Sequence, residues 1–146
     1  VARMPAESLA CAGGTFDWVV GFGVLHHARP AALAAEVRRV LRPGGRALFR
    51  EPLGLNPLLD FARQRLPYHR KVRAPGDRFL REEDLRAVAT RFSNARLRPF
   101  YLFSMIGRAF GKRERFTLLW SLDEFLLARF PGLWRWCRYV VLEYEV

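Results

Sequence analysis

The chain has 146 residues, of which 51% are hydrophobic and 14% aromatic, and this composition excludes a disordered chain and suffices for one domain with a real core. Its formal net charge is +11, and two cysteines are too few for a disulfide scaffold or a zinc cluster. No apolar run reaches the ~18 residues of a membrane-spanning helix, and the first residues lack the regions of a secretory signal. We therefore expect a cytoplasmic protein without a metal site.

The basic charge is concentrated between Phe61 and Arg115. This segment holds fifteen basic and five acidic residues, so the rest of the chain is close to neutral. Arginine clusters bind phosphates and anionic membrane surfaces, whereas a solvated arginine-rich face is the plainer explanation. Nucleic acid and an anionic membrane surface both stay open as partners.

Residues 1–15 show no convincing period and are predicted to be an irregular lead-in. Phe16 to Val20 is an apolar run closed by Gly21, which predicts a strand buried on both faces of a parallel sheet. After Pro30, hydrophobic residues recur at helical spacing until Pro43-Gly44-Gly45 turns the chain. A second apolar strand then follows and ends near Pro52. Residues 16–52 are therefore predicted to form a right-handed βαβ unit.

Helices are predicted to follow this unit. One begins at Asn56-Pro57 and runs to Leu66, before Pro67 ends it. Glu82-Glu83-Asp84 places three carboxylates in the first turn of a second helix, where its dipole favours them, and this explanation is preferred to a catalytic acidic cluster. The capping-box pattern Ser121-Leu-Asp-Glu124 predicts the start of a third helix.

Two strands are predicted to close the fold, one around Arg98 to Phe103 and one from Val140 to Val146. The large aromatic side chains of this half are expected mostly in the core: Phe100, Tyr101, Phe103, Trp120, Trp134 and Trp136. The chain is thus predicted to be one α/β domain, 1–146, in which residues 53–146 supply lid helices and closing strands.

Glycine and polar residues follow both strands of the predicted βαβ unit at one edge of the sheet. Gly21-Phe22-Gly23-Val24-Leu25-His26-His27 follows the first strand, and Glu51-Pro52-Leu53-Gly54 ends the second. Ligands of open α/β sheets bind beyond the carboxyl ends of the strands. Glycines let the backbone approach a ligand closely, and the histidines and the glutamate supply polar groups. The sequence therefore predicts a binding site at this edge.

The motifs FDWVVGFGVLHH, VLRPGG and REPLGLNPLL, in this order, resemble the central part of a class I S-adenosylmethionine-dependent methyltransferase. The type 11/12 small-molecule domains of that superfamily are the most similar. The resemblance implies a partial Rossmann-like sheet, in which the parallel βαβ unit is followed by helices and a closing antiparallel strand pair. It also implies S-adenosylmethionine as cofactor and methyl transfer to a small, often lipophilic, acceptor, so that some of the aromatic side chains named above would line an apolar acceptor pocket.

Site residues follow from this resemblance. The residues assigned to the cofactor are Gly21, Phe22, Gly23, Leu25 and His26. His26 and His27 are also candidate catalytic residues, because an imidazole at this edge can act as general base on an acceptor hydroxyl or amine. The alternative is that both histidines only form hydrogen bonds with neighbouring loops.

Two further residues are candidates for contact with the substrate, Glu51 and Asn56. For Glu51, pairing with Arg50 or with a helix terminus is an equal alternative. Asp17 begins its strand, away from the ligand edge, and is expected to form a structural hydrogen bond.

The glycine-rich turn and the acidic residue that hold the cofactor in this family have no clear counterpart before Phe16. We therefore expect an amino-terminally truncated domain that is weakly active or inactive alone. The strand edge at Phe16 to Val20 would then be exposed, which predicts self-association. The alternative function is a non-catalytic basic module that binds nucleic acid or an anionic membrane surface.

Overall fold

A computed structural model describes residues 3–65, 79–105 and 113–146. The sheet has four strands in the order β1-β2-β4-β3: β1 Phe16–Phe22, β2 Leu41–Pro52, β3 Asn94–Phe100 and β4 Tyr139–Glu145. The helices with described bounds are α1 Pro30–Val40, α2 Pro57–Arg65, α3 Glu82–Ala89 and α4 Arg113–Arg129. Two 3-10 segments are Leu25–His27 and Pro131–Trp136.

The βαβ unit is confirmed, since β1 and β2 pair in parallel and α1 connects them. α1 begins at Pro30, whose fixed φ suits the first turn of a helix. The predicted stripe is buried, with Leu33 and Val37 among its members. β2 starts earlier than predicted, at Leu41. Leu41 already pairs with Phe16 of β1, and the turn at Gly44 (φ 74°) lies inside the strand as an irregularity, before the pairing resumes at Arg46.

β4 lies between β2 and β3 and runs antiparallel to both. The predicted closing antiparallel strand pair is therefore confirmed. β3 begins at Asn94, earlier than the strand predicted around Arg98 to Phe103. It ends at Phe100, and the next residue, Tyr101, has a left-handed backbone conformation (φ 63°) that extended chain does not adopt.

The predicted start of the last helix is wrong. α4 begins at Arg113, so the Ser121-Leu-Asp-Glu124 pattern lies inside the helix. Asp123 instead accepts hydrogen bonds of 2.7–3.1 Å from three consecutive backbone N–H groups, residues 102–104, and one from the Ser104 hydroxyl at 2.6 Å. The carboxylate caps a different segment of the chain, and the local pattern cannot reveal that.

The other predicted helices are confirmed. α2 spans Pro57–Arg65, while the predicted end at Leu66 and the segment from Tyr68 to Arg78 lie outside the described residues. α3 starts at Glu82, and Asp84 accepts a hydrogen bond of 2.9 Å from the Arg81 N–H. The acidic triplet is thus at the helix start, as predicted. No helix in the described ranges is long and apolar enough to cross a membrane.

The irregular lead-in is held against α1. Glu36 accepts a hydrogen bond of 2.7 Å from the Leu9 N–H, and the Arg39 guanidinium donates to the carbonyls of Leu9 and Cys11 at 3.0 Å. Arg39 also donates to Glu36, and these bonds, with that from the Leu9 N–H, lower the pKa of Glu36 to about 2. Residues 3–14 contain turns and bends without a helix or strand, as predicted.

The sheet has a covered face and an open face, because successive strand residues point to opposite sides. The covered face carries side chains that belong to one hydrophobic cluster with α1 and α3, and its buried members include Phe49, Leu142 and Tyr144. On the open face, Trp18, Val20 and Phe22 of β1 are 52%, 53% and 70% exposed. The prediction that this strand is buried on both faces is therefore wrong, because the described helices leave one side of β1 uncovered.

The expectation that the aromatic residues of the second half lie mostly in the core is also wrong. None of the six is buried, and three are 36–43% exposed: Phe103, Trp120 and Trp136. Several of them contact one another beside α4, where Asp123 holds the chain after β3 in place.

Candidate functional site

The two peptides that the sequence places at the ligand edge do lie together. Phe22 pairs with Arg50 at the end of the parallel ladder, and the Gly23 N–H donates to the Arg50 carbonyl at 2.9 Å. The chain then turns through the 3-10 segment Leu25–His27 directly beside Glu51. Residues 21–27 and 51–54 therefore form one edge, as predicted.

Glu51 organises this edge from within. It is 0% exposed, and its Oε1 accepts hydrogen bonds from the backbone N–H groups of Val24 (2.7 Å) and Leu25 (3.0 Å). Its Oε2 lies 2.8 Å from Nδ1 of His26. A buried carboxylate is tolerated when such donors surround it. The sequence predicts that Glu51 contacts the substrate or pairs with Arg50 or with a helix terminus. In the structure it pairs with a helix terminus, since these N–H groups start the 3-10 turn.

The two histidines differ in their surroundings. The His26 side chain is 12% exposed and tied to Glu51, whereas His27 is exposed, and their ring centroids are 4.0 Å apart. Because a carboxylate can only accept hydrogen bonds, this contact assigns the donor role to the Nδ1 of His26, and in that tautomer Nε2 is the acceptor atom of the ring. The arrangement can therefore orient a proton acceptor at the ligand edge.

The glycines shape the loop. A Cβ on Gly21 would lie 2.6 Å from the Phe49 ring, so only glycine lets the chain lie on that ring. Gly23 has φ 64°, in the region that favours glycine, and its missing Cβ would lie 3.3 Å from the His26 ring.

The five residues assigned to the cofactor fall into two groups. Gly21 and Leu25 are buried, and the Leu25 side chain belongs to the hydrophobic core. Phe22 is 70% exposed, and Gly23 and His26 are partly exposed. Contact of all five with a cofactor stays a prediction, in which Gly21 and Leu25 would act by supporting the loop.

Asn56 caps α2. Its Oδ1 accepts hydrogen bonds from the N–H groups of Leu58 (3.0 Å) and Leu59 (3.1 Å), and its Nδ2 donates to the Trp136 carbonyl at 2.7 Å. The side chain is 4% exposed. Both polar atoms of the side chain therefore form hydrogen bonds within the protein. The sequence predicts this capping role, since Asn followed by Pro is a favourable start of a helix.

Asp17 lies away from the edge, as predicted. It forms an exposed ion pair with Arg42, at the start of the ladder between β1 and β2. The Glu51–His26 contact is the feature that sequence reasoning missed, although both residues were candidates. The signal for it is that His26 follows β1 and Glu51 lies at the end of the neighbouring parallel strand β2, which does not specify the contact.

Comparison with known protein sequences gives two findings. Residues 1–49 match the sequence model of a family described as "Methyltransferase domain". This match includes β1, the loop with His26 and His27, α1 and most of β2. No curated protein sequence matches the chain significantly.

Solved structures share the fold over almost the whole chain. A SAM-dependent methyltransferase from Archaeoglobus fulgidus has a TM-score of 0.61 at 11% identity, covering 99% of this chain and 66% of its own. A SAM-dependent methyltransferase from Thermotoga maritima, a possible histamine N-methyltransferase, has a TM-score of 0.60 at 12% identity, covering 99% and 62%. The chain has the class I methyltransferase fold. The predicted resemblance to a methyltransferase domain is thereby confirmed for the fold and for the sequence of residues 1–49.

A third methyltransferase structure contains ligands. The Haemonchus contortus phosphoethanolamine N-methyltransferase 2, in complex with phosphomonomethylethanolamine and S-adenosylhomocysteine, has a TM-score of 0.52 at 16% identity, covering 97% of this chain and 36% of its own. This chain thus spans less than two thirds of each of these methyltransferase structures. At these identities the similarity describes the fold of the chain.

Proposed function

We propose that the protein transfers a methyl group from S-adenosylmethionine to a small-molecule acceptor at the edge formed by residues 21–27 and 51–54. The observation that carries this proposal is Glu51, which is fully buried and orders the loop up to His26 through three contacts of 2.7–3.0 Å. A buried carboxylate that orients an imidazole at the ligand edge suits a site that must position a reactant.

The residues at this edge suit the cofactor. Phe22 offers an exposed ring, and Gly23 offers backbone without a side chain, so an organic ligand can approach both. The imidazole of His26, which contacts Glu51, adds a polar group to this loop. When bound, S-adenosylmethionine supplies an activated methyl group on a sulfonium, so the protein mainly aligns the acceptor and excludes water.

His26 is the proposed general base. Glu51 holds the Nδ1 proton, so Nε2 can take the proton that an acceptor hydroxyl or amine loses on methylation. The imidazolium formed in this way keeps its Nδ1–H beside the Glu51 carboxylate, which stabilises its charge. His27, whose ring adjoins that of His26, is the second candidate for contact with the acceptor.

Titration of the 146-residue chain with S-adenosylhomocysteine, followed by amide NMR, tests the proposal. We expect weak binding in fast exchange that shifts the amides of residues 22–27, because the chain spans only part of the related structures. Glu51→Gln should reduce those shifts, since a glutamine has a single acceptor oxygen, which cannot serve both the backbone N–H groups of Val24 and Leu25 and the Nδ1 of His26. The matched control is Glu143→Gln, on the opposite face of the sheet. Shifts confined to other regions at saturating ligand would contradict the proposal.

One observation favours a second candidate function, association with an anionic membrane surface. Leu118, Leu122 and Phe125 are spaced as one stripe along α4 and are 75%, 43% and 66% exposed. The chain also has a net charge of +11. Exposed apolar side chains on a helix together with basic residues suit the surface of an anionic bilayer.

Vesicle sedimentation tests this candidate. We expect the chain to sediment with phosphatidylserine-containing vesicles at low salt and not with pure phosphatidylcholine vesicles. Phe125→Glu should weaken the binding, and absence of binding at low salt would remove this candidate. Release by single-stranded DNA from vesicles would instead point to nucleic acid as the competing ligand.

A further inference from the structure

A cavity of about 500 Å³ lies between α4 and the end of the strand pair β3–β4. The strands contribute Arg98, Phe100 and Val141, and α4 contributes Trp120, Glu124 and Leu127. Volumes of 300–1,000 Å³ suit small organic molecules. The cavity is therefore large enough for a small ligand.

Aromatic rings form the wall of the cavity nearest the ligand edge. The Phe100 ring centroid lies 4.9 Å from that of Tyr101 and 6.5 Å from that of Trp120, and Tyr101 and Trp120 meet edge to face at 5.9 Å. The left-handed backbone at Tyr101 (φ 63°) is unfavourable for a residue with a side chain, and it coincides with this cluster. Such a wall suits the apolar or aromatic body of a ligand.

Two arginines stand beside this wall. Arg98 lines the cavity, and the guanidinium carbon of Arg50 lies 5.4 Å from the Phe100 ring centroid and 5.1 Å from that of Tyr139. Both arginines pair with Val141 across the sheet, so they share the open face and their backbones are about 10 Å apart. Two positive charges therefore lie on either side of β4, the strand that contributes Val141 to the cavity.

Neither guanidinium forms an ion pair or a hydrogen bond with protein groups in the described part of the chain. The carboxylate of Asp123, which also lines the cavity, is engaged by the backbone of residues 102–104. Glu124 is the other acidic group in the lining. A guanidinium matches a carboxylate or phosphate through two parallel hydrogen bonds, and the rings already restrain Arg50.

The cavity adjoins the candidate site. Phe100 pairs with Tyr139, which pairs with Pro52, the residue after Glu51. Arg50 precedes Glu51 on the same strand, so its side chain lies on the open face while Glu51 lies on the covered face. The two sites therefore share one end of β2.

We propose that this cavity binds an organic anion, with its apolar body against Phe100, Tyr101 and Trp120 and its carboxylate or phosphate held by Arg98 and Arg50. The proposal names the acceptor class for the methyl transfer and rests on that proposed function. An acceptor bound in this way has its charged end beside β2 and β3, at the end of the sheet where His26 lies.

Four probes that share a naphthalene ring distinguish the charge that the cavity prefers: 2-naphthoate, 2-naphthyl phosphate, 2-naphthalenemethanol and 2-naphthylmethylammonium. Their dissociation constants for the whole 146-residue chain are measured by calorimetry, without cofactor. We expect at least one anion to bind about tenfold or more tightly than the alcohol, because a charge-assisted hydrogen bond adds at least that much. The two anions separate a carboxylate from a phosphate preference. Equal affinity of all four probes, or tightest binding of the ammonium, would overturn the proposal.

Variants locate the binding. Arg98→Gln and Arg50→Gln should each weaken the preferred anion about tenfold and leave the alcohol unchanged. Arg98→Lys should restore part of the affinity, because it keeps the charge without the planar fork. The matched control is Arg96→Gln, two residues earlier on the same strand and face. An equal loss with Arg96→Gln would show general surface charge and overturn the assignment. Circular dichroism confirms folding, and Arg98 is exposed, so its variants test the proposal even where Arg50→Gln perturbs the sheet.

This experiment is independent of the cofactor. If the anion binds through Arg98 and S-adenosylhomocysteine leaves residues 22–27 unchanged, the cavity assignment stands and the methyl-transfer proposal fails. If the cofactor product binds at residues 22–27 and no anion is preferred, the methyl-transfer proposal stands and the acceptor class is wrong.

Discussion

The charged side chains on the two faces of the sheet have different surroundings, although the same strands carry both. On the covered face, Glu51 is 0% exposed and has protein donors at each carboxylate oxygen. On the open face, Arg50 lies one residue away and has aromatic rings beside it but no anionic partner in the described residues. The covered face therefore satisfies its charged group within the protein, whereas Arg50 on the open face has no anionic partner among the described residues.

The apolar residues show the same difference. Val140 is 0% exposed, whereas Val141, the next residue of β4, is partly exposed and lines the cavity. On β1 the open face carries Trp18, Val20 and Phe22, all more than half exposed. The covered face therefore contains the hydrophobic core of the sheet, and the open face leaves large apolar side chains exposed.

Removing the buried carboxylate should have the largest effect on stability. Glu51→Ala leaves the N–H groups of Val24 and Leu25 and the Nδ1 of His26 without their acceptor, and each buried unsatisfied group costs about 1–3 kcal/mol. We expect the free energy of unfolding in urea to fall by about 4 kcal/mol. Glu143→Ala is the control, because Glu143 is on the open face and pairs loosely with Arg46, and its loss should stay below about 1 kcal/mol. Equal losses would break the distinction between the faces.

Neighbouring valines give a matched test of packing. Val140→Ala should lower the free energy of unfolding by about 2 kcal/mol, because it opens a cavity in the buried cluster. Val141→Ala removes the same two methyl groups from the open face and should cost less than about 1 kcal/mol. Urea titrations of both variants measure the difference directly. A Val141→Ala loss as large as that of Val140→Ala would mean that the open face is also packed.

Local patterns in the sequence predict the covered face well. The spacing of Leu33 and Val37 predicts the buried side of α1, and the capping chemistry of Asn56-Pro57 predicts the start of α2. These predictions hold because each depends on residues within a few positions of one another. Two of the three family motifs, FDWVVGFGVLHH and VLRPGG, lie within the matched residues 1–49.

Features that depend on distant contacts could not be predicted in this way. An apolar run such as Phe16 to Val20 indicates burial, but its actual exposure depends on which other elements cover it. The contact between His26 and Glu51 joins residues 25 positions apart and requires the register of β1 on β2. Asp123 caps the segment after β3 from the middle of α4, so its local capping pattern misplaces the helix start.

The open face of β1 should make the chain self-associate. β1 is the edge of the described sheet, and Trp18 and Phe22 add 52% and 70% exposed aromatic rings to it. Exposed apolar strand edges pair with other chains. We propose that sedimentation velocity will show association that grows with protein concentration, and that Trp18→Glu or Phe22→Glu will weaken it.

Phe125→Glu is the matched control for this association, since Phe125 is 66% exposed but lies on α4. It should leave the association unchanged. A chain that stays monomeric at high concentration would refute the proposal, and an equal effect of Phe125→Glu would move the contact from β1 to the helix.

The smallest effect should come from the attachment of the lead-in to α1. Hydrogen bonds from Arg39, and then from the Leu9 N–H, lower the pKa of Glu36 from 4.5 to about 2. A carboxyl group whose pKa is lowered by folding stabilises the native state above its ordinary pKa, and this stabilisation is lost as the pH falls from about 4.5 to about 2. Glu36→Gln should therefore destabilise the chain slightly at pH 7, and this effect should shrink towards pH 3, as measured by urea unfolding.

Carbon-13 NMR of the Glu36 side chain checks the cause, because its carboxyl group should titrate well below 4.5 in the original chain and closer to 4.5 in Arg39→Gln. Titration of Glu36 near 4.5 in the original chain would mean that the lead-in is not held against α1 in the way these contacts indicate.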